Sequence, residues 1–157
     1  MLGNDQAYNR FSSVGSGLGL SVEVVKQSGE KSELKTLRTV RVLVVDDYEP
    51  WRRFVCSALR RQPELEIIGE AADGLDAVHK VAELQPDLIL LDVGLPTLNG
   101  IQTAREVRRT CPASRILFVS QESSPDVVCE AMSTGAHGFV VKANANDLLT
   151  GVNAALL

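Results

Sequence analysis

From about residue 40 onward, short apolar runs alternate with segments whose apolar residues recur at helical spacing. A continuous apolar run of four or so residues is typical of a strand that is buried on both faces of a sheet. Such runs lie at residues 42–45, 88–91, 116–119 and 139–141, and residues 65–68 (LEII) are predicted to form a further strand. Helical spacing follows each run, with apolar positions that begin near Phe54, Leu75, Ile101, Val127 and Leu148. Five strands alternating with five helices predict an α/β domain whose parallel sheet carries helices on both faces, joined by right-handed crossovers.

Helix-breaking and helix-starting residues refine these limits. Pro50 stands where the first turn of a helix tolerates proline. We expect Gly69 and an Asp73-Gly74 turn to close the second strand, and Gly135 to end the fourth helix.

The first 38 residues have a different composition. They are rich in Ser, Gly, Asn and Lys and hold few large apolar clusters, and residues 27–38 are typical of a solvated linker or a short helix. We therefore predict a leader or linker over residues 1–38 and one folded domain over residues 39–157.

Composition narrows the function classes. Of the 157 residues 45% are hydrophobic and 23% charged, and the net charge of −4 argues against this chain gripping a phosphate backbone by itself. No apolar run approaches the roughly 20 residues that span a bilayer, and the start lacks the pattern of a signal peptide. We expect a cytoplasmic protein with no membrane partner, in which three widely spaced cysteines are inert thiols: Cys56, Cys111 and Cys129.

The polar residues that suggest chemistry fall at the carboxyl ends of the predicted strands, where parallel sheets bind ligands. Clustered carboxylates repel one another and offer the hard oxygen ligands that suit Mg²⁺. A carboxylate beside such a cation can act as a nucleophile and form an aspartyl phosphate, while a lysine and a serine contact the other phosphoryl oxygens. Each residue alone is more commonly a cap, a turn residue or a solvated charge, so the prediction depends on all of them together: Asp46, Asp47, Asp92, Ser120 and Lys142.

Four segments carry a family resemblance: VRVLVVDD, LILLDVGLPTLNG, ILFVS and GAHGFVVK. Together they resemble the receiver domain of two-component response regulators over residues 40–157. The resemblance implies a flavodoxin-like (CheY-like), doubly wound, five-stranded parallel sheet of order 2-1-3-4-5. It implies no enzyme activity beyond the domain's own phosphorylation and dephosphorylation.

The resemblance also implies roles for individual residues. Asp92 accepts a phosphoryl group from a histidine kinase, assisted by Lys142 and Ser120. Mg²⁺ is bound by Asp47, Asp92 and the Gly94 carbonyl, with Asp46 holding a coordinated water. Ser120 and Phe139 move together on activation, although Phe139 also suits a plain core position.

Three departures from the family pattern are visible near this site, and the first is Ala143, which follows the lysine where proline is common, so we expect no cis peptide bond there. Gln121 follows the hydroxyl residue where a small side chain is usual, which narrows access. Gly94 replaces a position that often has a side chain, which puts the rate of phosphoryl loss in doubt.

The stretches DGLDAVHKVAELQPDLILLDVGLP and GAHGFVVKANANDLLTGVNAAL most resemble the NarL/FixJ (LuxR-type) subfamily. Its members usually add a C-terminal helix-turn-helix domain, so we expect DNA contact only through an effector domain absent from this chain, with a homodimer forming on phosphorylation. A receiver of a hybrid kinase or phosphorelay is the alternative. A small phosphatase or phosphotransferase on a similar scaffold is less favoured, because His79 and His137 fall away from the acidic edge.

Two further features each have two interpretations. Residues 15–29 (GSGLGLSVEVVKQSG) resemble the second glycine box of a histidine-kinase ATP-binding domain, but the rest of that domain is missing, so we expect no ATP binding and either a leader or a kinase remnant. A basic patch on the first helix is either a solvated face or a contact for a kinase or second receiver: Arg52, Arg53, Arg60 and Arg61.

Overall fold

The computed structural model describes residues 38–157, which form five strands alternating with five helices. The strands are β1 (Val40–Val45), β2 (Leu65–Ala71), β3 (Leu88–Leu91), β4 (Arg115–Ser120) and β5 (Gly138–Val141). The helices are α1 (Glu49–Leu59), α2 (Gly74–Leu84), α3 (Gly100–Thr110), α4 (Pro125–Ser133) and α5 (Ala145–Leu156). All strand pairs are parallel and the order is β2-β1-β3-β4-β5, which confirms the predicted flavodoxin-like sheet.

The strands and helices belong to one compact unit, Val40–Leu157. The division of the chain near residue 38 stays a prediction. The proposed leader, linker and kinase-remnant interpretations lie outside the described residues.

The sheet separates two apolar layers because successive strand side chains point to opposite faces. Leu43 and Val45 of β1 pack in the layer beneath α2 and α3, and Val42 and Val44 pack in the layer beneath α1 and α5. Burying each such side chain contributes about 1.5–3 kcal/mol. Helix α4 buries only Ala131 and is the least embedded of the five.

The predicted end of β2 was wrong. The strand continues through Gly69, which pairs with Leu43 of β1, and ends at Ala71. Gly69 serves packing rather than breaking the strand, since a Cβ at residue 69 would lie 3.0 Å from Leu84 Cδ1 and crowd that side chain.

The Asp73-Gly74 pair was also misassigned. Asp73 is the N-cap of α2, where its carboxylate accepts a hydrogen bond from the Asp76 N–H at 2.8 Å. Gly74 is the first helical residue, and a Cβ there would overlap the carbonyl oxygen of Leu98.

Two of the apolar residues that marked the predicted helices are substantially exposed. Phe54 is 38% exposed and Leu75 is 45% exposed, whereas Cys56 and Ala77 on the same helices are buried. Gly135 does follow the end of α4, with a positive φ of 84° that favours glycine.

The link from β3 to α3 brings the main chain close to itself. The Gly100 N–H donates to the carbonyl of Val93 at 2.8 Å, and a Cβ on Gly100 would overlap the carbonyl oxygen of Asp92. Asn99 and Gln102 form a capping box at this helix start. The backbone at Asp92 is therefore packed directly against the first turn of α3.

We predict that Gly100→Ala lowers the free energy of unfolding by about 2–3 kcal/mol, because the added methyl group must displace main chain. Gly94→Ala is the matched control, since its Cβ would meet no atom nearer than 3.8 Å. Its stability should change by less than about 1 kcal/mol. Urea unfolding measures both, and equal midpoints for the two variants would refute the steric argument.

Candidate functional site

The carboxyl ends of four strands bring five polar residues to one edge of the sheet. Ser120 is the last residue of β4, and the other four directly follow β1, β3 or β5: Asp46, Asp47, Asp92 and Lys142. Carboxylate oxygens of the three aspartates all lie within 4.8 Å of one another. The structure thus brings together the acidic cluster that the sequence predicted.

Lys142 lies between two of these carboxylates. Its Nζ is 2.6 Å from Asp46 Oδ2 and 3.4 Å from Asp92 Oδ2, and its side chain is only 8% exposed. The Lys142 N–H also donates to the Ser120 carbonyl at 2.9 Å, which ties the end of β5 to the end of β4. The ring centroid of Trp51 is 5.8 Å from Nζ, within the range of a cation–π contact.

Asp92 has opposing influences on its charge. Burial raises the pKa of its carboxyl above the ordinary value, and the nearby Asp46 carboxylate raises the pKa further. The Lys142 ammonium and a hydrogen bond from the Gly94 main chain lower the pKa. The Lys142 ammonium therefore favours the ionised form of Asp92 against the effect of burial.

Asp46 and Asp47 differ in environment although they are adjacent. Asp46 is buried, and besides Lys142 its carboxylate accepts a hydrogen bond from the Tyr48 N–H at 2.9 Å. Asp47 is exposed and faces an open cleft of about 590 Å³. The residues that line this cleft are Asp47, Tyr48, Asp92, Val93, Gly94, Ser120, Gln121, Glu122 and Lys142.

The cluster suits a hard divalent cation. Three carboxylates face one lysine, so negative charge remains, and oxygen donors are what Mg²⁺ prefers. The cleft beside Asp47 has room for hydrated ligands, since a water molecule takes about 30 Å³. Gly94 lines the same cleft, close to Asp92.

Ser120 and Phe139, the predicted switch residues, lie on neighbouring strands. The buried Ser120 Oγ accepts a hydrogen bond from the Glu122 N–H at 3.1 Å. Phe139 is half-buried, and its ring centroid lies 6.1 Å from that of Phe118 in the core. In this structure the serine is held by its own loop and the phenylalanine packs inward.

The histidines lie elsewhere. His137 precedes β5 at the opposite edge of the sheet, where its Nδ1 accepts a hydrogen bond from the Ile116 N–H at 3.1 Å. Burial, with Arg108 and Arg115, lowers the pKa of the His137 imidazole. His79 is exposed on α2. Cys56 and Cys111 are buried free thiols, whereas Cys129 is exposed.

The placement of Arg52 in a solvated basic patch was wrong. Its side chain is 17% exposed, with Nη1 donating to the Asp46 carbonyl at 2.7 Å and Nε donating to Glu70 Oε2 at 3.0 Å. The other three arginines of that patch are exposed: Arg53, Arg60 and Arg61. The only sequence signal for the contact between Arg52 and the Asp46 main chain was the position of Arg52, about one helical turn after the acidic pair.

The model of the response regulator receiver domain family matches residues 42–153 of this chain. Within residues 38–157, no helix has the length and apolar character needed to cross a membrane.

Similar proteins include an enzyme and a transcriptional activator. A protein-glutamate methylesterase/protein-glutamine glutaminase of Thermotoga maritima is 38% identical over 117 residues, which cover 73% of this chain and 34% of the relative. The DNA-binding transcriptional activator DevR/DosR of Mycobacterium tuberculosis is 38% identical over 103 residues, which cover 66% of this chain and 48% of the relative. The chain thus spans a third to a half of the length of these relatives.

Solved receiver structures have the same fold. The signal receiver domain of the NarL response regulator from Mycobacterium tuberculosis superposes with a TM-score of 0.71 at 32% identity, over 75% of this chain and 97% of that one. The response regulator domain of Thermotoga maritima CheB gives 0.70 at 33% identity, over 76% and 98%. With its sheet order, its acidic edge and these matches in agreement, the chain belongs to the response regulator receiver domain family.

Proposed function

We propose that this receiver takes a phosphoryl group from a histidine kinase onto Asp92 and changes conformation to control an output. The observation that carries the proposal is the position of Asp92, a buried carboxylate at a strand end beside Lys142 and two further carboxylates. Asp92 combines a reachable position on the cleft with a cation 3.4 Å away.

The transfer step is a nucleophilic displacement at phosphorus. An oxygen of the Asp92 carboxylate forms the new P–O bond, the P–N bond of the phosphohistidine breaks, and the imidazole leaves with that electron pair. Mg²⁺, when bound, neutralises charge on the phosphoryl oxygens. Asp47, Asp92 and the Gly94 carbonyl are the proposed direct ligands, and Asp46 holds a water.

Lys142 and Ser120 would report the phosphoryl group to the rest of the domain. Lys142 already contacts Asp92 and would pair with a phosphoryl oxygen, while the Ser120 hydroxyl would exchange the Glu122 N–H for the same group. Movement of Ser120 would vacate space for Phe139. A ligand shifts such an equilibrium only through contacts that differ between the two states, and these contacts differ.

Control of transcription is the output that we favour, because the relatives include the activator DevR/DosR. The net charge of −4 offers DNA no overall attraction, so contact with a promoter would need a separate effector domain, brought into pairs by a receiver dimer formed near β4 and β5. The methylesterase relative supports a second output, an enzyme under receiver control. A hybrid kinase or phosphorelay remains the alternative from the sequence. Sequencing the gene past Leu157 distinguishes all three, and a cytoplasmic location suits each.

Acetyl phosphate with Mg²⁺ is expected to add one phosphoryl group to the wild type and none to Asp92→Asn, since a neutral side-chain amide is a much weaker nucleophile than a carboxylate. Asp126→Asn, at the exposed start of α4, is the matched control and should label normally. Intact-mass spectrometry gives the readout. Undiminished labelling of Asp92→Asn would refute the assignment.

Mg²⁺ is expected to raise the melting temperature of the wild type and to leave that of Asp47→Ala unchanged, because Asp47 is the open ligand on the cleft. Without metal, the variant should melt at or above the wild-type temperature, since one like-charge repulsion is removed. Thermal melts with and without Mg²⁺ test both statements, with Asp126→Ala as control. An equal metal-induced shift in wild type and Asp47→Ala would exclude the ligand role.

Beryllofluoride, a mimic of the phosphoryl group, should shift the ring resonances of Phe139 in the wild type but not in Lys142→Ala. The variant should still accept some phosphate, because Asp92 and the metal ligands remain. Arg109→Ala, which removes an exposed ion pair with Glu106, should respond like the wild type. NMR spectra that show no wild-type change at Phe139 would rule out this route of signal transfer.

A further inference from the structure

We propose that Arg52 is a positioning residue for metal binding: it holds the main chain from which Asp47 reaches the cleft. The inference rests on the proposed Mg²⁺ site and adds to it a residue that touches neither metal nor phosphoryl group. Its evidence is a chain of contacts that runs from Asp46 through Arg52 to Glu70 on β2.

The Arg52 guanidinium joins two elements of the fold. Nη1 donates to the carbonyl of Asp46 at 2.7 Å, and Nε donates to Glu70 Oε2 at 3.0 Å. A guanidinium is planar and its N–H groups point in set directions, so a fixed bond at Nε also fixes the direction of Nη1. Arg52 therefore connects the end of β1 to β2 at a defined distance.

The position of Asp47 depends on this connection, because no contact within residues 38–157 holds its carboxylate directly. Within the described residues, no hydrogen bond or ion pair holds the Asp47 side chain. The peptide unit between Asp46 and Asp47 is planar, so holding the Asp46 carbonyl also orients the main chain at Asp47. The Tyr48 N–H, which donates to Asp46 Oδ1 at 2.9 Å, restrains the next peptide unit.

Glu70 is itself well anchored. Its main chain pairs with Val44 of β1 in the sheet, and its main-chain carbonyl accepts a hydrogen bond from Lys80 Nζ at 2.6 Å. Burial and the nearby Glu70 carboxylate raise the pKa of the Cys56 thiol to about 11, so the thiol keeps its proton at neutral pH. Residues of β1 and α2 thus hold the main chain of Glu70, from which its carboxylate reaches Arg52.

Without Arg52, the Asp46 carbonyl loses its charged donor and the Asp47 main chain gains freedom that metal binding must then remove. Loss of a group that orients a metal ligand typically weakens metal binding by about 10–100-fold. We expect about a tenfold rise in the Kd for Mg²⁺ in Arg52→Gln, equivalent to about 1.4 kcal/mol. Asp92 keeps its contact with Lys142, so the labelling rate at saturating Mg²⁺ should stay within about twofold of wild type.

The test is a titration of the full chain with Mg²⁺, in which the fluorescence of Trp51 is recorded to determine the Kd. This is the only tryptophan of the chain, and its ring lies 5.8 Å from Lys142 Nζ. Arg52→Lys should bind with intermediate affinity, since an ammonium is a poor replacement for two N–H groups in a fork. Arg53→Gln, the next residue on α1, is the matched control and should bind like wild type, because Arg53 is exposed and, among residues 38–157, forms an ion pair only with Glu49.

Glu70→Gln provides an independent variant if Arg52→Gln does not fold. It leaves Arg52 in place and removes the charge that orients it, so the Kd should rise by less than in Arg52→Gln but more than in Arg53→Gln. The labelling rate from acetyl phosphate at saturating Mg²⁺ is measured for each folded variant. An unchanged maximal rate with a raised Kd supports the positioning role.

Wild-type Mg²⁺ affinity in Arg52→Gln or in Glu70→Gln, with only a lower melting temperature, would overturn the inference and leave the proposed function intact. A lower labelling rate at saturating Mg²⁺ with an unchanged Kd would overturn it as well. A wild type that binds no Mg²⁺ and accepts no phosphoryl group would instead refute the proposed function, and this inference with it.

Discussion

Three carboxylates at one edge of the sheet set the main electrostatic problem that this structure solves. Two charges 4.8 Å apart, the largest separation within the cluster, repel by roughly 3 kcal/mol at an effective dielectric constant of about 20. Lys142 lies 2.6 Å from Asp46 and 3.4 Å from Asp92, where attraction on the same scale is roughly 6 and 5 kcal/mol. One ammonium therefore outweighs the repulsion between these two buried acids but leaves the charge of Asp47 unbalanced. The edge is suited to reversible binding because each added cation or phosphoryl group changes that balance.

The core holds the acidic edge firmly on one side and loosely on the other. Val45 and Leu91, the residues before Asp46 and Asp92, are buried strand residues, and Gly100 brings α3 against the main chain at Asp92. By contrast, α4 buries only Ala131, and Phe139 on β5 is half-buried. Movement near α4 and β5 would therefore cost less apolar burial than movement near β1 and β3. This asymmetry places the firmly packed, proposed phosphoacceptor site beside the less buried region of α4 and β5.

Much of the fold was visible in the sequence because a strand buried on both faces is recorded as an uninterrupted apolar run. The buried strands β1, β3 and β4 were predicted in this way, and the alternation of five strands with five helices was predicted as a whole. The errors arose where one residue type serves two purposes. Gly69 was interpreted as a strand end, yet it lies within β2, where a side chain would crowd Leu84 of α2. Phe54 and Leu75 fitted helical spacing, but both side chains are substantially exposed. Helical spacing defines the buried face of a helix only to within about one residue, so residues at its border can be assigned wrongly.

The sequence by itself determined which polar groups meet at the carboxyl edge of the sheet, since acidic residues, a serine and a lysine at the ends of parallel strands converge there. It did not determine how those groups are held. The contact between Arg52 and Asp46 uses a main-chain carbonyl, which every residue carries and which therefore leaves no mark in the sequence. Glu70, the second partner of Arg52, lies 18 residues further along the chain on β2. It meets Arg52 only once α1 packs on the sheet. Polarity and spacing report the face that a segment buries, whereas contacts between main chain and distant side chains are decided by tertiary packing.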